Sequence, residues 1–109
     1  MSRYNKYRVA PKAARTLDGI VFDSKKEMNR YCELKILQKA RVISELELQP
    51  RFDLVVNGRK CGFYKADFRY FMLDKKKYVV EDVKGVRTPV YRLKKKLVEA
   101  IHGIVIAEV

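Results

Sequence analysis

The spacing of apolar residues predicts a helix in each half of the chain. The first follows Ser24, which forms a capping box with Glu27 three residues later, and it runs to about Lys39. Its apolar residues spread around much of the helical surface, so we expect other elements to cover it on more than one side. From the residues alone, capping is a sufficient role for Glu27.

The second predicted helix has its N-cap at Thr88, its first helical residue at Pro89 and its end at Gly103. An apolar stripe at helical spacing predicts which face is buried. The stripe of this helix consists of Val90, Leu93, Leu97, Ala100, Ile101 and Ile104.

A last strand, apolar enough to be buried, follows the helix over residues 104–109.

Between the helices, the alternation of polar and apolar residues predicts strands. Residues 42–56 form a strand region with an edge position or a bend at Pro50. Asn57-Gly58 predicts a tight hairpin turn, and Gly62 predicts a bulge in the returning strand.

The position of Gln49 depends on that bulge. Simple pairing about the turn places Gln49 opposite Ala66, on the face away from Asp67. A bulge reverses this placement, so both positions stay open at this point.

Residues 64–85 carry the pattern around which the chain is organised, two strand-like runs that flank a turn at Asp74-Lys75. With two or four residues in this loop, Asp67 lies directly opposite Asp82, with Cβ atoms roughly 4.5–5.5 Å apart. Like charges at that distance repel each other. A divalent cation bound by both carboxylates would remove the repulsion.

Strand alternation places Asp82 and Lys84 on one face and Glu81 on the other. Lys84 would then reach a phosphate held at the metal, so the hairpin predicts a metal–carboxylate site for phosphodiester chemistry. The element order is helix–three antiparallel strands–helix–strand. It predicts a mixed sheet flanked by helices, in the α/β or α+β class.

Composition fits a small nucleic-acid-binding domain. The 109 residues suffice for one domain, and the net charge of +12 predicts a polyanionic partner, nucleic acid before anionic membrane. No apolar run approaches membrane-spanning length. Cys32 and Cys61 are far apart and accompany a single histidine, which argues against a zinc site or a disulfide framework and favours a reducing cytoplasm.

Residues 1–17 contain basic residues and no acid. We expect a basic, flexible N-terminal arm ahead of a single domain over residues 18–109. The arm is either a solvated terminus or a segment that gains order on a phosphate backbone.

The acid on one strand and the acid-x-lysine on the next resemble the PD-(D/E)XK nuclease superfamily. Asp67 matches the first acid, and Asp82-Val83-Lys84 matches the second half of the motif, while Ala66 stands where the motif name has proline. The resemblance implies a restriction-endonuclease-like core, because the element order is also similar.

Two further features resemble phage junction-resolving endonucleases and transposon-end nucleases. Ser24-x-x-Glu27 is similar to a serine-x-x-glutamate on their first helix, and Gln49-Pro50 to a glutamine-proline on the following strand. Residues 19–109 also resemble a family of small phage-encoded proteins with this layout. The resemblance implies that Glu27 is a site residue and that the protein is a cytoplasmic homodimer in the host cell, acting like a Holliday junction resolvase.

The implied activity is a Mg²⁺-dependent endodeoxyribonuclease, selective for branched DNA, in which Mn²⁺ can substitute. Asp67 and Asp82 would ligate the metal, with the Val83 carbonyl as a further ligand, and Glu27 would hold the metal or its water. Lys84 would help to deprotonate the attacking water or neutralise charge in the transition state.

Basic and polar residues around this site would hold DNA by its phosphates. The alternative is a non-catalytic DNA- or RNA-binding protein, in which the facing carboxylates are incidental. The expected phosphate-binding residues are Tyr64, Arg69, Arg87, Thr88, Arg92, Lys94, Lys95 and Lys96.

Overall fold

The computed structural model describes residues 9–109, which form two α-helices and eight strands. A 3-10 turn over Lys12–Arg15 precedes them. The elements are β1 (Thr16–Leu17), β2 (Ile20–Val21), α1 (Lys25–Lys39), β3 (Ile43–Leu48), β4 (Arg51–Val56), β5 (Arg59–Lys65), β6 (Phe68–Met72), β7 (Lys77–Asp82), α2 (Pro89–His102) and β8 (Ile106–Glu108).

The central sheet is four-stranded and mixed, in the order β3-β6-β7-β8. β3, β6 and β7 are antiparallel neighbours, and β8 runs parallel to β7 after the crossover through α2. Buried α1 residues pack with Phe68 and Tyr70 of the sheet, whereas Val98 of α2 packs with Val80 and Ile106. The predicted α+β class with a mixed sheet is confirmed.

Each of the first two predicted strands is broken in the structure. The chain leaves the central sheet after β3, passes Pro50, and returns to it at β6. In between, β4 and β5 form a separate two-stranded ribbon, with Asn57-Gly58 at its turn and a bulge beside Gly62, as predicted. The three antiparallel strands of the sheet are therefore β3, β6 and β7, and the ribbon is an excursion between the first two.

Helix α1 begins as predicted, because the Ser24 hydroxyl accepts a hydrogen bond of 3.1 Å from the Glu27 N–H. The expectation that α1 is covered on more than one side is wrong. Its buried residues are Glu27, Tyr31 and Leu34, which lie on one stripe, and Ile36 is 68% exposed. This stripe packs against the sheet and against Phe22 of the N-terminal segment.

Helix α2 has the predicted ends, with the Thr88 hydroxyl accepting from the Tyr91 N–H and Gly103 in the left-handed conformation. The predicted apolar stripe is partly wrong, because Val90 and Leu93 are 65% and 59% exposed while Val98 is fully buried. The face of α2 that packs on the sheet is thus rotated from the one that the apolar spacing predicts. No helix within residues 9–109 is long and apolar enough to cross a membrane.

Part of the predicted N-terminal arm belongs to the folded structure. β1 pairs with β2, and the Arg15 guanidinium donates hydrogen bonds to the carbonyls of Ala10 and Phe22. Among residues 9–109, secondary structure therefore begins at Lys12, ahead of the predicted boundary at residue 18. Residues 1–8 of the predicted arm lie outside the described residues.

Leu34→Ala should lower the free energy of unfolding by about 2–5 kcal/mol, because it leaves a cavity beneath α1. Ile36→Ala on the same helix is the matched control and should cost less than about 0.5 kcal/mol. Urea denaturation of both variants measures this, and equal losses would contradict the orientation of α1.

Candidate active site

The hairpin of β6 and β7 has the register that the sequence predicts. A four-residue turn joins Met72 to Lys77, and the pairs continue to Phe68 opposite Glu81. Asp67 lies one residue before β6, and its N–H donates to the Glu81 carbonyl at 3.1 Å. Asp67 and Asp82 therefore meet at the end of the hairpin farthest from its turn.

The two carboxylates are held by each other's strands. The Asp67 N–H donates to Oδ1 of Asp82 at 3.2 Å, and the Val83 N–H donates to Oδ2 of Asp67 at 2.7 Å. Asp82 is fully buried, and its Oδ2 has no hydrogen-bond partner among the described residues. A buried carboxylate oxygen without a partner is costly, so this oxygen is available to a ligand.

Glu27 reaches the same place from the first turn of α1. It is 4% exposed, and burial, followed by the charges of Asp67 and Asp23, raises its pKa to about 7. Asp67 lies close enough to contribute to the raised pKa of Glu27, which is consistent with a proton held on Glu27. The Glu27 N–H is thus bonded to the capping hydroxyl of Ser24, while the Glu27 carboxylate lies in the carboxylate cluster.

Burial also raises the pKa of the other two acids. The pKa of Asp82 rises to about 6, although the Lys84 charge opposes the shift. The pKa of Asp67 rises for the same reason, against the Val83 N–H and the Lys84 charge. Burial therefore opposes ionisation of all three acids, and an added cation would lower all three pKa values.

The donor set suits a hard divalent cation such as Mg²⁺, because carboxylate oxygens are its preferred protein ligands. The unpartnered Oδ2 of Asp82 and the facing carboxylate of Asp67 could hold such an ion, with Glu27 beside them. Within residues 9–109, no group of three or more His, Cys, Asp and Glu side chains is already spaced as a metal site. The Val83 N–H serves Asp67, and a metal-ligating role for the Val83 carbonyl stays a prediction.

Lys84 lies between the acids and α2. Its charge lowers the pKa of both Asp67 and Asp82, and its Nζ lies 4.4 Å from the ring centroid of Tyr91. Lys26 of α1 donates a hydrogen bond to the Lys84 carbonyl at 3.3 Å. The structure thus brings together the four predicted catalytic residues, Glu27, Asp67, Asp82 and Lys84.

A buried ion pair on the opposite face of β7 was missed by the sequence analysis. Glu81 is 2% exposed and accepts hydrogen bonds from Arg30 at 2.9 and 2.6 Å and from the Tyr70 hydroxyl. Arg30 lies one turn after Glu27, and Glu81 precedes Asp82. The pair therefore fixes α1 against β7 beside the carboxylates. The position of Glu81 directly after Val79 and Val80, on the strand face opposite Asp82, was the available signal.

The structure also decides the position of Gln49. The bulge beside Gly62 shifts the ribbon by one residue, and the Gln49 N–H donates to the Asp67 carbonyl at 2.9 Å. Gln49 is therefore paired with Asp67 through its backbone, its φ is 53°, and its side chain is exposed.

The predicted phosphate-binding residues fall into separate groups. Tyr64, Thr88 and Lys94 line a cleft with Lys84, but Arg69 lines a different cleft, where it stacks on Tyr78.

Other members of that set lie on or beside α2. Arg87 and Lys95 both pair with Glu108, at 3.0 and 3.7 Å, so their charge is partly neutralised. Arg92 and Lys96 are exposed on α2.

A family model described as "Protein of unknown function (DUF1064)" matches residues 1–105. The chain belongs to the DUF1064 family. The match spans α1, the hairpin of β6 and β7, and α2, and therefore all residues of the candidate site in this DUF1064 protein. Neither curated proteins nor solved structures yielded a match to the chain.

Glu81→Gln should lower the free energy of unfolding by roughly 3 kcal/mol, because it leaves the Arg30 charge without its buried partner. Glu33→Gln is the matched control. Glu33 bonds the same guanidinium at 3.1 Å but is 64% exposed, so its loss should cost less than about 1 kcal/mol. Urea denaturation at pH 7 compares them, and a larger loss for Glu33→Gln would contradict the buried network.

Glu27→Gln should change how stability depends on pH in metal-free protein. A carboxyl whose folded pKa is about 7 stabilises the fold below its unfolded pKa of about 4.5, and this contribution is lost as the pH rises through 7. The variant should therefore gain stability relative to the wild type between pH 4.5 and about 7. Thermal unfolding in EDTA measures the difference, and a pH-independent difference would contradict the shift.

Proposed function

We propose that this DUF1064 protein is a Mg²⁺-dependent endodeoxyribonuclease that acts on branched DNA. The observation that carries the proposal is the facing pair Asp67 and Asp82 with the unpartnered Asp82 Oδ2, beside Lys84. A protein of net charge +12 that only bound nucleic acid would gain nothing from burying carboxylates where a polyanion would approach.

Asp67 and Asp82 would hold the metal, and Glu27 would hold the metal or accept a hydrogen bond from its water. Bound Mg²⁺ supplies a Lewis acid and lowers the pKa of a bound water. The Lys84 ammonium, which already acts on both aspartates, would neutralise charge that develops on the phosphate oxygens. A positioned cation of this kind contributes about 3 kcal/mol to a transition state.

The same proposal includes a more specific fold than the α+β class. An acid before β6 and an acid-x-lysine at the end of β7, between two helices, support a restriction-endonuclease-like core of the PD-(D/E)XK type. By the same resemblance, the protein would act in the host cytoplasm as a homodimer that cuts two strands of a junction, with Mn²⁺ able to replace Mg²⁺.

The second candidate is a non-catalytic basic DNA- or RNA-binding protein. One observation favours it, since the three carboxylates are not already spaced as a metal site within the described part of the chain. In that case Asp82→Asn would leave nucleic-acid binding equal or tighter.

Cleavage of end-labelled four-way junction, nicked, flapped and plain duplex DNA tests the proposal, with Mg²⁺, Mn²⁺ or EDTA. We expect metal-dependent cutting, fastest on branched DNA, and a loss of at least about 100-fold in Asp82→Asn and Lys84→Ala. Asp74→Asn is the matched control, because it replaces an exposed acid at the other end of the same hairpin and should cut like the wild type.

Binding without cleavage, unchanged by Lys84→Ala, would overturn the nuclease in favour of the binding protein. Cutting that survives Asp82→Asn would assign the activity to another site or to a contaminant.

A further inference from the structure

A cleft of about 310 Å³ lies between β5 and α2 and opens beside Lys84. The eight residues that line it include three lysines and three aromatic residues and no acid. Its volume is at the low end of the roughly 300–1,000 Å³ typical of ligand sites. The cleft is therefore large enough for one nucleotide and too small for a duplex.

Positive charge surrounds the cleft. Lys65, Lys84 and Lys94 line it, and so does Thr88, the N-cap of the 14-residue helix α2. Helix N-termini carry partial positive charge and favour phosphate groups. The phosphate of a nucleotide would be attracted to the part of the cleft nearest the carboxylate site.

Phe63 provides an aromatic surface in the same cleft. It is 38% exposed, and the Arg51 guanidinium lies 3.9 Å from its ring centroid. The Lys94 ammonium lies 5.5 Å from the same centroid. Exposed rings flanked by cations are the usual means of holding unpaired bases, since rings stack on bases while cations bind phosphates.

The Tyr64 hydroxyl is an independent sign of a ligand. Tyr64 lines the cleft and is 4% exposed, and its hydroxyl has no hydrogen-bond partner among the described residues. A buried hydroxyl normally has a partner, and removal of one that lacks it costs no stability. A nucleotide in the cleft that displaced the atoms covering this hydroxyl would supply the missing acceptor.

We propose that this cleft binds one unpaired nucleotide of the strand to be cut, with its base at Phe63 and its phosphate near Lys84 and Thr88. The proposal rests on the proposed function and narrows the substrate to DNA with an unpaired segment next to the cut phosphate. A splayed arm or a flap offers such a nucleotide, whereas a blunt duplex must first unstack a base.

Fluorescence anisotropy in EDTA, where no cutting occurs, tests the cleft with labelled splayed-arm DNA and blunt duplex of the same sequence. Phe63→Leu removes the ring and keeps an apolar side chain, so it should weaken splayed-arm binding by about fivefold or more and duplex binding by less than about twofold. Phe63→Trp should retain tight binding. Val56→Ala, on the same ribbon and outside the cleft lining, should change neither.

Tyr64→Phe separates binding from folding. It should leave urea stability unchanged or higher and weaken splayed-arm binding by about threefold to tenfold. Two outcomes would overturn the cleft proposal. One is an equal loss of affinity for splayed-arm and duplex DNA. The other is that Phe63→Leu or Tyr64→Phe binds splayed-arm DNA as tightly as the wild type.

The two proposals fail separately. Binding of unpaired DNA through Phe63 and Tyr64 without any metal-dependent cutting would overturn the nuclease and leave the cleft assignment intact. Metal-dependent cutting that treats splayed-arm and blunt DNA alike in wild type and Phe63→Leu would overturn the cleft assignment and the preference for branched DNA, and would leave the metal-dependent nuclease intact.

Discussion

The structure depends on the reciprocal hydrogen bonds that join Asp67 and Asp82 across the end of the β6–β7 hairpin. Each carboxylate accepts a backbone N–H from the opposite side of the hairpin, so two like charges are kept together inside the protein. Burial of such a pair is unfavourable without a counter-charge, and the raised pKa of Asp82 expresses that cost. An electrostatic cost of this kind is typical of functional sites.

The buried acids on the two faces of β7 differ in how completely they are paired. Glu81 is fully paired with Arg30 and Tyr70, whereas Asp82, its neighbour, keeps an oxygen without a partner. The first arrangement fixes helix α1 against the sheet, and it therefore also fixes Glu27 against Asp67. The ion pair on one face of β7 thus holds α1 rigidly, while the carboxylate cluster on the other face is incompletely neutralised. This combination is expected for a preorganised site.

The β4–β5 ribbon connects the site to a second surface. It leaves the sheet beside Gln49 and returns at Asp67, so its base adjoins the carboxylates while Phe63 and Tyr64 face α2. A break at Pro50 allows this, since proline cannot continue the strand ladder. An excursion from the sheet therefore forms one wall of a basic, aromatic cleft beside Lys84.

The sequence alone determined the features set by local chemistry. The caps of both helices, the turn at Asn57-Gly58, and the register that brings Asp67 to Asp82 all follow from neighbouring residues, because turn length fixes the pairing of a hairpin. Only the tertiary structure decided that the Gly62 bulge places Gln49 at Asp67, that α2 buries Val98 in place of Leu93, and that Glu81 pairs with Arg30. These outcomes depend on which distant surfaces meet, and residue type and spacing leave several such packings open.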